Sequence, residues 1–280
     1  MNNNIKINSI YAMDCAEGIK LLNDKSVQCI ITSPPYWGLR DYGKGITLGS
    51  ESTPEEYIHN LCDIFSLCER VLKDEGVLFV NIADSYFRNG GKSRGVNPKA
   101  IIGNTKKGIQ KGNCKVPPGF LEKSLALIPQ RFVIEMNKRG WLVRNQIIWH
   151  KPNAMPQPVT DRFVNDYEII FMFTKQKHYK FNLLKENVTG KERIKRAVWS
   201  VNTKASKSGH IAPFPKELIL NCIFSGSSEG EIILDPFMGS GTTAEAALLY
   251  NRNYIGFEIS KECCDKANKR IEEVKGAVAI

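Results

Sequence analysis

The chain is expected to adopt an α/β fold with a mostly parallel sheet covered on both faces. Three observations predict it. Apolar runs bounded by turn residues alternate with stretches of helical periodicity. Two strand-like runs, "WLVRNQIIWH" and "YEIIFMFT", follow each other with no helix between them, which predicts an antiparallel pair at one edge. Near the C-terminus a strand, a glycine turn and a helix stand in direct succession.

In chain order, the strand candidates are "KINSIYAM", "VQCIIT", "GVLFVNIA", "WLVRNQIIWH", "YEIIFMFT", "EIILD" and "NYIGFEI". Each has the alternating or continuous apolar character of a half-buried or buried strand. Helical periodicity runs through "EEYIHNLCDIFSLCERVLKDE", "LALIPQRFVIEMNKRG", "PKELILNCIFSG", "TTAEAALLYN" and "KECCDKANKRIEEVKG". Strand 27–31 must stop at "TSPPYW", because two consecutive prolines continue neither a sheet ladder nor a helix. A rigid strand end edged by aromatic rings is suited to hold something flat.

Two segments fall outside this rhythm. Residues 88–120 are rich in Gly and Lys and hold no acidic residue, and residues 175–209 are basic with His178, Tyr179, Phe181 and Trp199 interleaved. Either can be a solvated surface loop. On a chain of 280 residues with a net charge of +10, two such inserts point instead to a polyanionic partner. Arg88, Lys92, Arg94, Lys106 and Lys107 in the first, and Lys177, Lys180, Arg193, Lys195 and Arg196 in the second, are the candidate contacts to nucleic acid.

The N-terminus lacks the basic-then-apolar pattern of a signal peptide, and no run is apolar for long enough to cross a bilayer, so a cytoplasmic protein is expected. The eight cysteines, at 15, 29, 62, 68, 114, 222, 263 and 264, form no C-x-x-C pair. They read as reduced, mostly buried thiols, with no metal site. The four histidines show no ligand spacing.

At "EIILDPFMGSGTTAEAALLYN", Gly239, Gly241 and Ala244 satisfy G-x-G-x-x-A between a strand and a helix, the context of a nucleoside-cofactor turn. Glu258 closes the next strand about twenty residues on, where an acid reaches ribose hydroxyls. A diphosphate favours a helix N-terminus free of acids. Asp235, just before the turn, instead suits a cofactor with a cationic amino-acid tail, as in S-adenosylmethionine.

Together "TSPPYW" and "DPFMGSGTT" resemble the DNA amino-methyltransferases, which methylate cytosine N4 or adenine N6. The resemblance implies catalytic roles for Ser33, Pro34, Pro35 and Tyr36, with Tyr36 and Trp37 stacking on the base. It implies S-adenosyl-L-methionine as cofactor, held by Asp235, Pro236, Phe237, Gly239, Ser240, Gly241 and Thr242, with Glu258 on the ribose. Phe214 and Pro215 in "HIAPFPKEL" look like the motif packing on its methionine end. Asp14 resembles the acid at the adenine amino group, although it reads equally well as a helix cap. Trp149 and Lys151 resemble the segment flanking the target-base pocket, while Trp149 and Phe214 can instead be core aromatics, the commoner fate of such residues.

The catalytic motif comes first and the cofactor motif last, similar to the permuted β group. The implied architecture is a Rossmann-like methyltransferase fold, circularly permuted. It has a seven-stranded sheet and an inserted target-recognition region, divided as 1–174, 175–209 and 210–280. Ser33 in place of Asp points to cytosine N4, with adenine N6 the alternative. Duplex DNA, a homodimer and a cognate restriction endonuclease are the implied partners. A nicotinamide-dependent oxidoreductase would leave "SPPYW" and the basic inserts unexplained, and the intact motif argues against a silent DNA-binding protein. RNA as substrate is not excluded by charge.

Overall fold

The computed structural model describes residues 5–38, 48–88, 116–203 and 215–278. Its first half runs β1 (Ser9–Ala12), α1 (Cys15–Lys20), β2 (Val27–Thr32), α2 (Pro54–Val71), β3 (Leu72–Ile82), α3 (Ile128–Lys138), β4 (Leu142–His150) and β5 (Tyr167–Thr174). The short strands β6 (Lys185–Val188), β7 (Lys191–Ile194) and β8 (Val198–Ser200) follow. Then come α4 (Lys216–Gly226), β9 (Ile232–Asp235), α5 (Thr242–Leu249), β10 (Asn253–Glu258) and α6 (Lys261–Val278).

The main sheet has the order β1-β10-β9-β2-β3-β5-β4-β8. The pairs from β1 through β3 are parallel, and β5 is antiparallel to both β3 and β4, as the two consecutive apolar runs predict. β8 adds an eighth strand, parallel to β4, beyond the seven expected. β5 is therefore the one strand of this sheet that runs against the rest.

Alternate residues of each strand feed opposite cores, as the pleat requires. Ile30, Leu78, Val80, Phe171 and Phe173 join the cluster beneath α1, α2 and α3. Cys29, Ile31, Phe79, Ile170 and Met172 join the cluster with residues of α4, α5 and α6. All six residues of β2 are buried, consistent with its place between β9 and β3.

α2 starts where the sequence signals it, with the Thr53 hydroxyl accepting the Glu56 N–H at 3.2 Å and Pro54 in the first turn. Its apolar stripe of Tyr57, Ile58, Leu61, Phe65 and Cys68 is buried. The periodicity predicts helix to residue 75, but it ends at Val71. Leu72 is extended and pairs with Val27, so the sheet claims the residues that the helical pattern would have continued. The β6–β7 hairpin was also not expected. It turns on Thr189 and Gly190, both at positive φ (53° and 79°), as a two-residue hairpin loop requires.

Candidate active site

Because every strand of the main sheet but β5 points the same way, the carboxyl ends of β1, β10, β9, β2 and β3 and the beginning of β5 share one edge. Ligands bind at this edge of open α/β sheets. Both sequence motifs fall here. "SPPYW" leaves β2 and "PFMGSG" leaves β9, and the two strands are neighbours although about 200 residues separate them.

The turn after β2 is fixed from several sides. The Tyr57 hydroxyl donates to the Pro35 carbonyl at 2.8 Å, and the Gly38 N–H to the Gly49 carbonyl at 2.8 Å. Gly49 has φ of +93°, and a Cβ there would lie 3.2 Å from the Tyr36 carbonyl, so a side chain is disfavoured both by conformation and by space. Ser33 and Tyr36 stay half-buried at the edge.

Trp37 does not join them, which corrects its expected stacking role. It is 3% exposed, its ring meets Phe87 edge-on at 5.8 Å, and its indole N–H donates to the Glu51 carbonyl at 3.0 Å. A ring with its polar atom satisfied inside the core has no face left for a base. Trp149 is likewise buried, its N–H donated to the Val201 carbonyl at 2.8 Å.

Two residues that sequence reasoning missed complete the catalytic end. The Ser33 hydroxyl donates to the Tyr36 hydroxyl at 3.1 Å, and Tyr36 donates to Glu168 Oε2 at 2.8 Å. The Asn81 amide donates to both Tyr36 and Glu168, the latter at 2.6 Å. Lys151 donates to the other oxygen, Glu168 Oε1, and its ammonium lies 4.4 Å from the centre of the Trp149 ring. A polar residue ending the inward stripe Val77, Phe79, Asn81 was the available signal for Asn81. An acid leading the apolar run of β5 was the signal for Glu168.

The glycine turn is tied to both neighbouring strands. Asp235 Oδ1 accepts from the Thr32 hydroxyl at 2.6 Å and the Phe237 N–H at 3.0 Å, and Oδ2 accepts from the Thr243 hydroxyl at 2.7 Å. Burial pushes this carboxyl up to about 6; the three hydrogen bonds pull it down, and nearby Glu258 raises it further. Asp235 was expected to face a cofactor cation. Its three bonds to the chain's own donors lock the start of the turn to the end of β2 and leave acceptor capacity on Oδ2.

Glu258 Oε2 accepts the Gly239 N–H at 2.9 Å, and Oε1 accepts the Ser260 N–H at 2.8 Å. Burial raises its carboxyl while these two N–H groups lower it. Gly239 and Gly241 have φ of +53° and +81°, which glycine adopts freely. Among the described residues, a Cβ on Gly239 would meet only the Phe237 carbonyl oxygen, at 3.9 Å, so they leave the space beside it open. From α6, Arg270 donates to the Ser240 carbonyl at 3.3 Å and the Thr242 hydroxyl at 3.1 Å. Pro236 is buried, Phe237 half-buried and Pro215 the N-cap of α4. Asp14 is the N-cap of α1, its Oδ1 accepting the Ala16 and Glu17 N–H groups at 2.8 and 3.2 Å. Its position beyond β1 puts it beside Glu258, which pairs with Ala12.

The basic candidates separate by position. Lys92, Arg94, Lys106, Lys107 and Phe214 lie outside the described residues, while Arg88 is exposed close after β3. Lys177 and Lys180 follow Thr174, which pairs with Val77 near the far end of the sheet. The Lys180 backbone N–H donates to the Glu75 carbonyl and its ammonium to Glu231, each at 2.9 Å. These two lysines are carried away from the catalytic edge. Arg193 pairs across the hairpin with Glu186 at 3.0 Å. Lys195 and Arg196 lead into β8, whose Ser200 pairs with His150 at the catalytic edge.

The thiols of Cys15, Cys29, Cys62, Cys68, Cys222 and Cys264 are buried. No described helix is long and apolar enough to cross a membrane.

The DNA methylase family model for N6- and N4-methyltransferases matches residues 27–269. Type II methyltransferase M.Cfr9I of Citrobacter freundii is 38% identical over 273 residues, covering 94% of this chain and 87% of its own. Type II methyltransferase M.SmaI of Serratia marcescens is 36% identical over 276 residues, covering 97% and 93%. Among solved structures, the cytosine-N4-specific PvuII DNA methyltransferase superposes with a TM-score of 0.69 at 18% identity, over 96% of this chain and 90% of that one. The complex of M1.HpyAVI with S-adenosylmethionine gives 0.59 at 21% identity, over 94% and 98%. With the site's two motifs on adjacent strands of the same fold, the chain belongs to the N6/N4 DNA methylase family.

Proposed function

We propose that this methyltransferase uses S-adenosylmethionine to methylate the exocyclic N4 amine of a cytosine swung out of duplex DNA. The observation that carries the reading is the Thr32–Asp235 hydrogen bond of 2.6 Å, because it fastens the strand bearing Ser33 to the strand bearing the glycine turn. Methyl acceptor and methyl donor would then meet across one strand spacing.

The residues present fit the cofactor. The open space at Gly239 admits a ligand against the backbone, and Glu258 keeps acceptor capacity beyond its two N–H bonds for ribose hydroxyls. Asp14 Oδ2 is available to the adenine amine, since the cap uses Oδ1. Asp235 acts by holding the turn, and Pro215 by starting α4 beside it. When bound, the cofactor supplies an electrophilic methyl group on a sulfonium.

An exocyclic amine is a poor nucleophile because its lone pair is delocalised into the ring. Acceptors on its two N–H bonds localise that pair, and the Ser33 hydroxyl and Pro34 carbonyl are those acceptors. The Tyr36 ring stacks on the extruded base, and the remaining acceleration comes from in-line positioning. Ser33 supports cytosine over adenine, since a hydroxyl is a weaker acceptor than the carboxylate an Asp would offer.

DNA lies along the catalytic edge. Arg88 and the basic insert after it contact phosphates, and the hairpin and β8 edge, with Lys195 and Arg196, read the target as the recognition region within 175–209. A homodimer, a companion endonuclease of the same specificity and a cytoplasmic site of action complete the reading.

The test is nucleoside mass spectrometry on DNA from a methylation-deficient host expressing the chain, beside a Ser33→Ala control. N4-methylcytosine with wild type alone is expected. N6-methyladenine would overturn the choice of base, and no methylated base would overturn duplex DNA as substrate.

A further inference from the structure

The reaction leaves one thing unassigned: where the amine's proton goes. When the nitrogen forms its bond to the methyl carbon, the carbon–sulfur bond breaks and its electron pair stays on sulfur. The nitrogen gains positive charge as that bond forms and must shed a proton in the same step. Ser33 touches that nitrogen, but a hydroxyl can take up a proton only by passing on its own.

The donors around Tyr36 fix the direction in which it can do so. A carboxylate only accepts and a lysine ammonium only donates. Rotating the Asn81 amide would set its oxygen against Glu168, so its NH₂ must face Tyr36 and Glu168. The Tyr36 hydroxyl hydrogen therefore goes to Glu168 Oε2, and the Ser33 hydrogen goes to the Tyr36 oxygen. This leaves the Ser33 lone pairs facing away from Tyr36, as an acceptor of the amine N–H must have them.

Resting on the reading of "SPPY" as the methylation motif, we propose that Glu168 is the terminal proton acceptor of a Ser33–Tyr36–Glu168 relay, aimed by Asn81 and Lys151. The amine proton passes to Ser33 Oγ, the Ser33 proton to the Tyr36 oxygen, and the Tyr36 proton to Glu168 Oε2. The products are a neutral methylated amine and a neutral carboxylic acid, which returns its proton to water after release. Three other acids of this edge are engaged elsewhere. Asp84 accepts the Ser85 and Ile128 N–H groups at 2.8 and 3.1 Å, Asp235 accepts from Thr32, Thr243 and Phe237, and Glu258 accepts from Gly239 and Ser260. Among the described residues only Glu168 reaches Ser33 through a single hydroxyl. Glu168 is thus a positioning and relay residue acting through Tyr36.

Single-turnover methyl transfer to DNA, with cofactor and DNA affinities measured on the same samples, tests this on wild type, Glu168→Gln, Glu168→Ala, Tyr36→Phe and the double variant Glu168→Gln/Tyr36→Phe. Loss of a terminal proton acceptor should slow transfer by roughly a hundredfold in Glu168→Gln. Cofactor affinity should be unchanged. Tyr36→Phe keeps the stacking ring and should lose a comparable factor, and the double variant should be no slower than Tyr36→Phe alone, because both act on one path. Tyr36→Phe alone still tests the relay if removing the partner of Lys151 unfolds the Glu168 variants. A near-wild-type rate in Glu168→Gln or in Tyr36→Phe overturns the relay. Losses that multiply in the double variant overturn the claim that Glu168 works through Tyr36. Failure of wild type to methylate DNA would instead sink the functional reading and is distinguishable from either result.

Discussion

Asp235 gives a prediction whose size follows from its surroundings. Its carboxyl is buried at 4% exposure and is raised from 3.8 to about 6, so the folded protein holds this proton across a pH range in which the unfolded chain has released it. Stability rises with pH wherever the unfolded state binds more protons. Here the folded state binds more, so this group makes the cofactor-free protein less stable as pH climbs from about 4 to about 6, and constant above that. A shift of about two units at 1.36 kcal/mol each amounts to about 3 kcal/mol.

Asp235→Asn removes the titration while keeping an amide oxygen for the Phe237 N–H, and the Thr32 or Thr243 hydroxyl can rotate to meet the new NH₂. Near pH 4 the variant should be slightly less stable than wild type, by about 1 kcal/mol for an imperfect hydrogen bond. By pH 7 the difference should have moved about 3 kcal/mol in favour of the variant. Urea unfolding of both proteins without cofactor, at half-unit steps from pH 4 to 8, measures that difference directly and cancels the groups they share. A pH-independent difference, or one moving the other way, would mean that the Thr32, Thr243 and Phe237 hydrogen bonds outweigh burial. The carboxylate would then be a stabilising anion rather than a strained one.

Three further outcomes are expected. Trp37→Ala should cost about 3–5 kcal/mol of stability, as deletion of a buried indole does; unchanged stability with weakened DNA binding would restore Trp37 to the base pocket. Gly256→Ala would place a Cβ 2.3 Å from Met238 Cε and 3.1 Å from its Cβ, pressing on the glycine turn, so calorimetry should show cofactor affinity falling. Met238→Ala in the same chain should recover much of it, and no recovery would show that the clash is not the cause. Lys195→Ala and Arg196→Ala should each weaken DNA binding and flatten its salt dependence by up to about one unit of slope, while Lys177→Ala and Lys180→Ala leave both unchanged. Equal effects from the two pairs in a salt titration would contradict the placement of Lys177 and Lys180 at the far end of the sheet.

What could be read in the sequence was what is local. β2, β5, β9 and β10 are runs of adjacent apolar residues, and "SPPYW" and "PFMGSG" are each complete within six positions, so no knowledge of the tertiary structure was needed to find them. The failures are those in which tertiary pairing decides. Residues 72–75 continue the helical pattern of α2 but are taken by pairing at the start of β3, and the strands of the β6–β7 hairpin carry charges instead of an apolar alternation. The basic segment from 175 begins at the far end of the sheet, after Thr174, and by Ser200 has reached the catalytic edge, and charge along a sequence carries no direction. Trp37 follows Tyr36 immediately, yet the bend places one in the core and the other at the edge.

The Glu168 network shows why the most consequential group was the least legible. Asn81, Trp149 and Glu168 come from β3, β4 and β5, Lys151 from just past β4, and Ser33 and Tyr36 from the turn after β2, and only the register assembles them. Trp149 pairs with Glu168 and Asn81 with Ile170. Directly paired residues share a face, and so do residues two apart on one strand, so Asn81, Glu168, Trp149 and Lys151 all lie on one side of the sheet. The closing Lys151 N–H to Asp166 carbonyl bond, 2.7 Å, then sets the lysine diagonally beside the glutamate. None of this would hold if β5 ran parallel to its neighbours, because Glu168 would then lie at the far end with Lys180. The reversal of that single strand is what brings a carboxylate within one hydroxyl of Ser33. A one-residue slip of β5 against β3 would turn Glu168 to the opposite face and leave Tyr36 without its acceptor.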